Sequence, residues 1–262
     1  MPAPMEPTAV DPAVTLPLSG KVVLVTGAAR RIGAAIARRL HGAGAQLMLH
    51  YHKAEREAQQ LQAELNATRE NSVALLQADL LDAAGLQAIV KNTLARFDRL
   101  DGLVNNASAF YPTTVGSIGF DDWDSLVGTN LKAPLFLSQA AAPHLKKTLG
   151  CIVNITDIHA ERPLKNYVVY TVAKAGLSGL TRSLARELGP EVRVNGVAPG
   201  PIVWPDDDAW DELTRQRVVS NTVLKRVGDP TDIAQAVYFL IAEAPYVTGQ
   251  ILSVDGGRSI NL

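Results

Sequence analysis

From Lys21 onward the chain alternates short, largely β-branched apolar runs with longer stretches in which apolar residues recur every three or four positions. A brief continuous apolar run between turn residues fits a strand buried on both faces, and the three-four spacing fits a helix that buries one side. Seven strands are predicted on this basis, at 22–26, 46–50, 73–77, 102–105, 151–155, 192–197 and 251–254. Six helices lie between them, at 32–42, 54–65, 83–97, 123–145, 168–188 and 231–242. Regular alternation of the two predicts repeated βαβ units and therefore one α/β domain over 21–262, a doubly wound seven-stranded parallel sheet with helices on both faces. The stretch 201–222 breaks the pattern, and with Pro205 and Asp206 to Asp208 it is expected to form a loop and short helices over a site, as a lid does. Residues 1–20 hold five prolines and no basic or long apolar run, so a flexible tail is expected there, neither secretory signal nor membrane anchor.

Composition narrows the partners. Hydrophobic residues make up 47% of the chain and charged ones 19%, enough for a large core; with aromatics at 5%, that core must be mainly aliphatic. Lys and Arg (25) balance Asp and Glu (26), which excludes a nucleic-acid backbone as the main partner. The single cysteine, Cys151, cannot form an intramolecular disulfide, and no run approaches the ~18 apolar residues of a membrane span, so a soluble cytoplasmic protein is expected. His41, His144 and His159 show no metal-ligand spacing, and no metal is expected.

The first strand runs into Thr26-Gly27-Ala28-Ala29-Arg30-Arg31-Ile32-Gly33 and then a helix. A glycine turn at a helix N-terminus aims backbone N–H groups and the helix dipole at an anion, the physical core of Rossmann-type dinucleotide binding. A TGxxxGxG pattern would have glycine at position 31. Either Gly27 and Gly33 serve tight strand-to-helix packing alone, or Arg31 has been recruited to the phosphates. The second strand ends in His50-Tyr51-His52-Lys53, where an NAD site usually places an acid. Two imidazoles, a phenol and an ammonium beside Arg31 offer hydrogen bonds and positive charge to a 2′-phosphate, which favours NADPH over NADH. Asp79-Leu80 and Asn105-Asn106-Ala107, at the ends of the third and fourth strands, are expected to flank adenine and ribose.

Tyr170 and Lys174 stand four apart in a predicted helix and share a face, where a nearby ammonium is expected to lower the phenol pKa. Such a pair is common on ordinary helices. Together with Thr26-Gly27 and Gly33, Asn105-Asn106-Ala107-Ser108, Asn130, Arg193-Val194-Asn195, Pro199-Gly200 and Asp255-Gly256-Gly257, however, it resembles the short-chain dehydrogenase/reductase family over the whole span from Lys21 to Leu262. The resemblance implies that Tyr170 is the general acid/base, that Lys174 also holds the nicotinamide ribose, that Asn130 positions the lysine and a relay water, and that Pro199 and Gly200 line the cofactor site. Thirteen residues before Tyr170, where the family has a serine, this chain has Asp157. An ionised carboxylate would repel a developing alkoxide, which disfavours simple ketone chemistry and favours a substrate nitrogen that must receive a proton.

Arg31, the segment from Leu49 to Lys53, the segment from Asn106 to Pro112, and Asp157 with Tyr170 resemble the pteridine reductases within that family. That resemblance implies a pterin, or a folate, sandwiched between nicotinamide and Phe110. Ser108 would bond cofactor phosphate and pterin, and hydride from NADPH would reach a C=N carbon while Tyr170, helped by Asp157, delivers a proton. Trp204 and Trp210 are placed at the substrate mouth. Small residues Ala133, Ala140, Ala173 and Gly176 suit either packing within one subunit or the helix interface of a homotetramer, and Arg258 is placed to reach a neighbouring subunit's site. Two other readings stay open: a carbonyl or other imine reductase in which Asp157 and Phe110 are incidental, and a non-catalytic NADP(H) sensor, against which the intact Tyr170 and Lys174 speak.

Overall fold

A computed structural model describes residues 16–202 and 211–261. Most of the N-terminal tail, and Trp204, Pro205, Asp206 to Asp208 and Trp210, lie outside the described residues. The chain runs through β1 (Val22–Val25), α1 (Arg31–Gly42), β2 (Gln46–Tyr51), α2 (Glu55–Thr68), β3 (Val73–Gln77), α3 (Gly85–Phe97) and β4 (Gly102–Asn105). It continues through α4 (Phe120–Val127), α5 (Ala133–Thr148), β5 (Cys151–Ile155), α6 (Val168–Leu188), β6 (Arg193–Pro199), α7 (Glu212–Ser220), α8 (Pro230–Tyr238) and β7 (Ile251–Val254). The strands form one sheet, all pairs parallel, in the order β3-β2-β1-β4-β5-β6-β7. The order reverses between β1 and β4, and ligands of such sheets bind in the crevice at that reversal, beyond the carboxyl ends of the strands.

Because strand side chains alternate between faces, each central strand serves two cores. Val23, Val25, Val104 and Val153 face one side with Ile36, Leu40, Ile233 and Val237 of α1 and α8. Leu24, Leu103 and Ile152 face the other with Leu86, Ile89, Leu137 and Leu145 of α3 and α5. The predicted helix 123–145 is in fact two, α4 and α5, joined by a π-helical turn at Gly128–Lys132. Pro134, in the first turn of α5, has no N–H to donate four residues back, so the regular ladder cannot pass through it. A Cβ on Gly128 in the turn would lie 2.5 Å from the end of the half-exposed Leu81 side chain, which would have to swing aside. Three of the small residues are consumed inside the subunit: Ala133 and Ala173 are fully buried, and a Cβ on Gly176 would meet Leu131 at 2.7 Å.

A buried polar chain fixes α6 to the strand ends. Asn105 Nδ2 donates to Asn154 Oδ1 (2.8 Å), Asn154 Nδ2 donates to Thr181 Oγ1 (2.9 Å), and the Thr181 hydroxyl donates to the Leu177 carbonyl (2.8 Å). Fully desolvated hydrogen bonds tolerate little displacement, so the helix that carries Tyr170 and Lys174 is held in register with β4 and β5. Among the described residues no helix is long and apolar enough to cross a membrane.

Candidate active site

The turn after β1 is built around Thr26. Its hydroxyl accepts from the N–H groups of Asn106 (3.0 Å) and Ala107 (3.1 Å), and the Asn106 side chain donates back to the carbonyls of Thr26 (2.9 Å) and Gly27 (3.0 Å). Gly27 has φ +61°, and any Cβ there would lie 2.8 Å from Ala107 Cα. A Cβ on Gly33 would meet the Gly27 carbonyl at 2.2 Å. Arg31, where the pattern reserves glycine, keeps glycine's left-handed backbone (φ +53°), a conformation costing an ordinary residue about 1 kcal/mol. The chain thus keeps the shape of the glycine turn and gains a guanidinium.

Beside this turn lies a cavity of 670 Å³ lined by Gly27, Arg31, Gly33, His50, Tyr51, His52, Lys53, Asp79, Leu80, Asn106 and Ala107, among others. The structure therefore gathers the residues expected to hold the nucleotide, but it changes the role of one. His50 is buried; its Nδ1 accepts from the Gly27 N–H (3.2 Å), and its Nε2 lies 3.1 Å from the Ala78 carbonyl and must carry the proton. Burial lowers its pKa from 6.5 to about 4, so it is neutral and braces the turn instead of adding charge. Tyr51 is buried as well. Arg30, Arg31, His52 and Lys53 are the exposed basic groups of this cavity, with Arg30 3.9 Å from Glu57 and His52 3.7 Å from Asp79.

A second cavity, of 680 Å³, shares Arg31, Ile32, Asn106 and Ser108 with the first and is walled by Phe110, Asp157, His159, Tyr170, Lys174, Pro199, Gly200 and Arg258, among others. Gly200 lets β6 turn away here, because a Cβ on it would stand 2.6 Å from Asp255. Adjoining cavities, one at a glycine cradle with basic side chains and one walled by titratable groups, fit an extended dinucleotide with a small substrate at its far end.

The acid pair sits in the second cavity. The Tyr170 hydroxyl donates to Asp157 Oδ2 at 2.5 Å, while Asp157 Oδ1 accepts from the backbone N–H of His159 (2.8 Å) and so caps the short helical turn Ile158–Ala160. Burial, then the Asp157 charge and its hydrogen bond, hold the Tyr170 pKa well above its usual value. The expected lowering by Lys174 is overturned. The Lys174 ammonium donates to the Ile155 carbonyl (2.9 Å) and lies 5.7 Å from the Tyr170 ring centroid, so the carboxylate, not the ammonium, dominates the phenol. Full burial lowers Lys174 itself to about 8, against the opposing pull of Asp157.

Asn130, in the π-helical turn, is fully buried, and its side chain is spent on the loop after β4. It accepts from the Ser108 hydroxyl (2.7 Å) and donates to the carbonyls of Ala109 and Leu126 (2.9 Å each). The loop so fixed carries Phe110, which stacks on Tyr167 (centroids 4.6 Å, 16°) and meets Tyr170 edge-on (4.8 Å, 80°) while remaining 43% exposed. Arg258, expected to reach a neighbour, lines the cavity of its own chain. His159 and Tyr167 were not foreseen here. Their signal is spacing, His159 lying two residues after Asp157 and Tyr167 one helical turn before Tyr170. Among the described residues no cluster of His, Cys, Asp or Glu is placed to hold a metal.

An open parallel sheet with a glycine cradle at its switch point, and a paired acid at the mouth beyond, defines a dinucleotide-binding oxidoreductase of the α/β class. A family model described as enoyl-(acyl carrier protein) reductase matches residues 27–259. Pteridine reductase 1 of Leishmania tarentolae is 38% identical, the match covering 91% of this chain and 96% of that protein. The 3-oxoacyl-[acyl-carrier-protein] reductase FabG of Staphylococcus aureus is 36% identical, covering 90% and 97%. Among solved structures, a blue fluorescent protein from a metagenomic library in complex with NADPH superposes with a TM-score of 0.86 at 37% identity, over 92% of this chain and 98% of that one. A Serratia marcescens short-chain dehydrogenase/reductase with two Phe-to-Leu substitutions does so with a TM-score of 0.87 at 35% identity, over 93% and 99%. The chain belongs to the short-chain dehydrogenase/reductase family and is an NAD(P)-dependent oxidoreductase of that class.

Proposed function

We propose that this protein is an NADPH-dependent pteridine reductase. The observation that carries the reading is the Tyr170–Asp157 pair, a buried phenol held 2.5 Å from a carboxylate at the place where a ketone reductase needs an uncharged hydroxyl. At neutral pH the phenol keeps its proton and can only give it up, which suits a ring nitrogen that gains a proton as the adjacent carbon is reduced. Bound NADPH supplies the hydride. Arg31, His52 and Lys53 are the side chains that would take its 2′-phosphate, Gly27 and Gly33 leave room for the pyrophosphate, and Lys174, Pro199 and Gly200 would border the nicotinamide half. The NADPH complex of the blue fluorescent protein supports the choice of cofactor. The exposed face of Phe110 offers a flat heteroaromatic about 1 kcal/mol of stacking beyond burial. The 38% identity to pteridine reductase 1 agrees with this substrate class.

A second reading, a 3-oxoacyl reductase, is favoured by the 36% identity to the S. aureus FabG protein. Asp157 argues against it. NADPH oxidation measured with dihydrobiopterin and, in parallel, with a 3-oxoacyl thioester separates the two. Turnover of the pterin and competitive inhibition by an antifolate are expected; reduction of the thioester alone would reverse the assignment. We also assign the exposed Phe136, Val168 and Val172, on α5 and α6, to contacts in a homotetramer.

A further inference from the structure

The substrate cavity holds a cation that the chemistry above leaves idle. The glycine turn after β7 has Gly256 and Gly257 at φ +60° and +78°, and Asp255 clamps it by accepting from the N–H groups of Gly257 (2.9 Å) and Ser259 (2.7 Å). A Cβ on Gly257 would lie 2.7 Å from the Val223 side chain, so the turn is also wedged from outside. Arg258 is carried on this rigid corner into the cavity that also contains Asp157, Tyr170 and Phe110. Its guanidinium has five N–H donors, yet among the described residues it makes one marginal bond, to the Val218 carbonyl at 3.5 Å. Among the described residues no carboxylate lies within ion-pair distance of Arg258 or of Arg217. The nearest acid of the cavity wall, Asp157, is already engaged by Tyr170 and His159. Burial and the neighbouring Arg217 both disfavour the charge of Arg258. Partly desolvating a cation beside another cation is costly unless an anion completes the set.

We infer that Arg258, backed by Arg217, recognises a carboxylate on the substrate, so that the preferred substrate is a pterin bearing an acidic side chain of the pteroylglutamate type. The inference rests on the pteridine reading above. The flat ring lies on Phe110 with its reducible bond at Tyr170, and the acidic tail reaches the corner of the cavity formed by Arg258.

The test compares wild type, Arg258→Met and Arg258→Lys with two substrates, dihydrofolate, which carries carboxylates, and dihydrobiopterin, which carries none, alongside a fluorescence titration of NADPH. A charge-assisted hydrogen bond of this kind predicts that Arg258→Met raises KM for dihydrofolate at least ten-fold, with kcat changed less than two-fold. Dihydrobiopterin kinetics and NADPH affinity should move less than two-fold, which also shows that the variant folds, and Arg258→Lys should recover part of the loss. Equal losses for both substrates, or a weakened grip on NADPH, would overturn the inference and leave the pteridine reading standing. Absence of turnover with either pterin in the wild type overturns both.

Discussion

The surroundings of Tyr170 decide how firmly it keeps its proton. Burial and the negative charge of Asp157 both oppose a phenolate, so the proton resides on Tyr170 through the neutral range. Tyr170→Phe removes the hydroxyl hydrogen that faces Asp157, and turnover should fall by about 10²- to 10⁴-fold while NADPH titration gives an unchanged affinity. An enzyme of full activity after this change would exclude Tyr170 as the donor. Asp157→Ala should also slow turnover strongly. Because it removes two of the three causes that raise the phenol pKa, it should move the alkaline limb of the kcat profile to lower pH, and a limb that stays in place would show that Asp157 does not control the phenol. This pair was legible in the sequence only through the family resemblance, which singles out Tyr170 with Lys174 and puts Asp157 where the family has a serine. The direction of the pKa shift was not, because spacing gives the Lys174 backbone position and not the Ile155 carbonyl to which its ammonium is turned.

At the scale of elements, the end of β2 and the start of α1 form one device. His50 of β2 holds the Gly27 turn from below by a neutral ring, and α1 closes on it through Gly33. Its native pKa, about 4, lies below the unfolded value of 6.5, so the unfolded state binds the extra proton between those limits and stability rises with pH across them. Acidification from pH 6.5 to 4 should therefore cost up to about 3 kcal/mol through this one residue. Urea midpoints of His50→Gln should fall less over that interval than those of the wild type; parallel slopes would remove His50 as the cause. Gly33→Ala should abolish tight NADPH binding, since its Cβ would stand 2.2 Å from a carbonyl that belongs to backbone and cannot swing aside. The strands and most helices were legible at this scale because a doubly buried strand and a one-sided helix leave different apolar spacings. The division of α4 from α5 was less so: Pro134 and Gly128 are visible in the sequence, but the periodicity runs through them.

For the whole molecule, the sheet order places residues from β1, β4, β5, β6 and the segment after β7 on one edge, which is why a nucleotide cradle, an acid pair and Arg258 meet although more than two hundred residues separate Gly27 from Arg258. The α6 helix that carries Tyr170 and Lys174 inward leaves Val168 and Val172 41% and 47% exposed, and α5 leaves Phe136 39% exposed. Covering such side chains in an assembly gains about 25 cal/mol for each Å² removed from water, whereas a carboxylate in the same place would have to be desolvated without a partner. Val172→Asp should thus lower the mass seen by light scattering from a tetramer toward smaller species, with the circular dichroism spectrum retained because the residue is not part of the subunit core. Turnover should fall with the assembly, since α6 would lose the support of its outer face and be left to the contacts of its inner one, among them Asn154–Thr181 and Lys174–Ile155. A wild-type protein that scatters as a monomer at micromolar concentration would remove the tetramer and leave the active-site assignments untouched, because every side chain placed in them comes from a single chain.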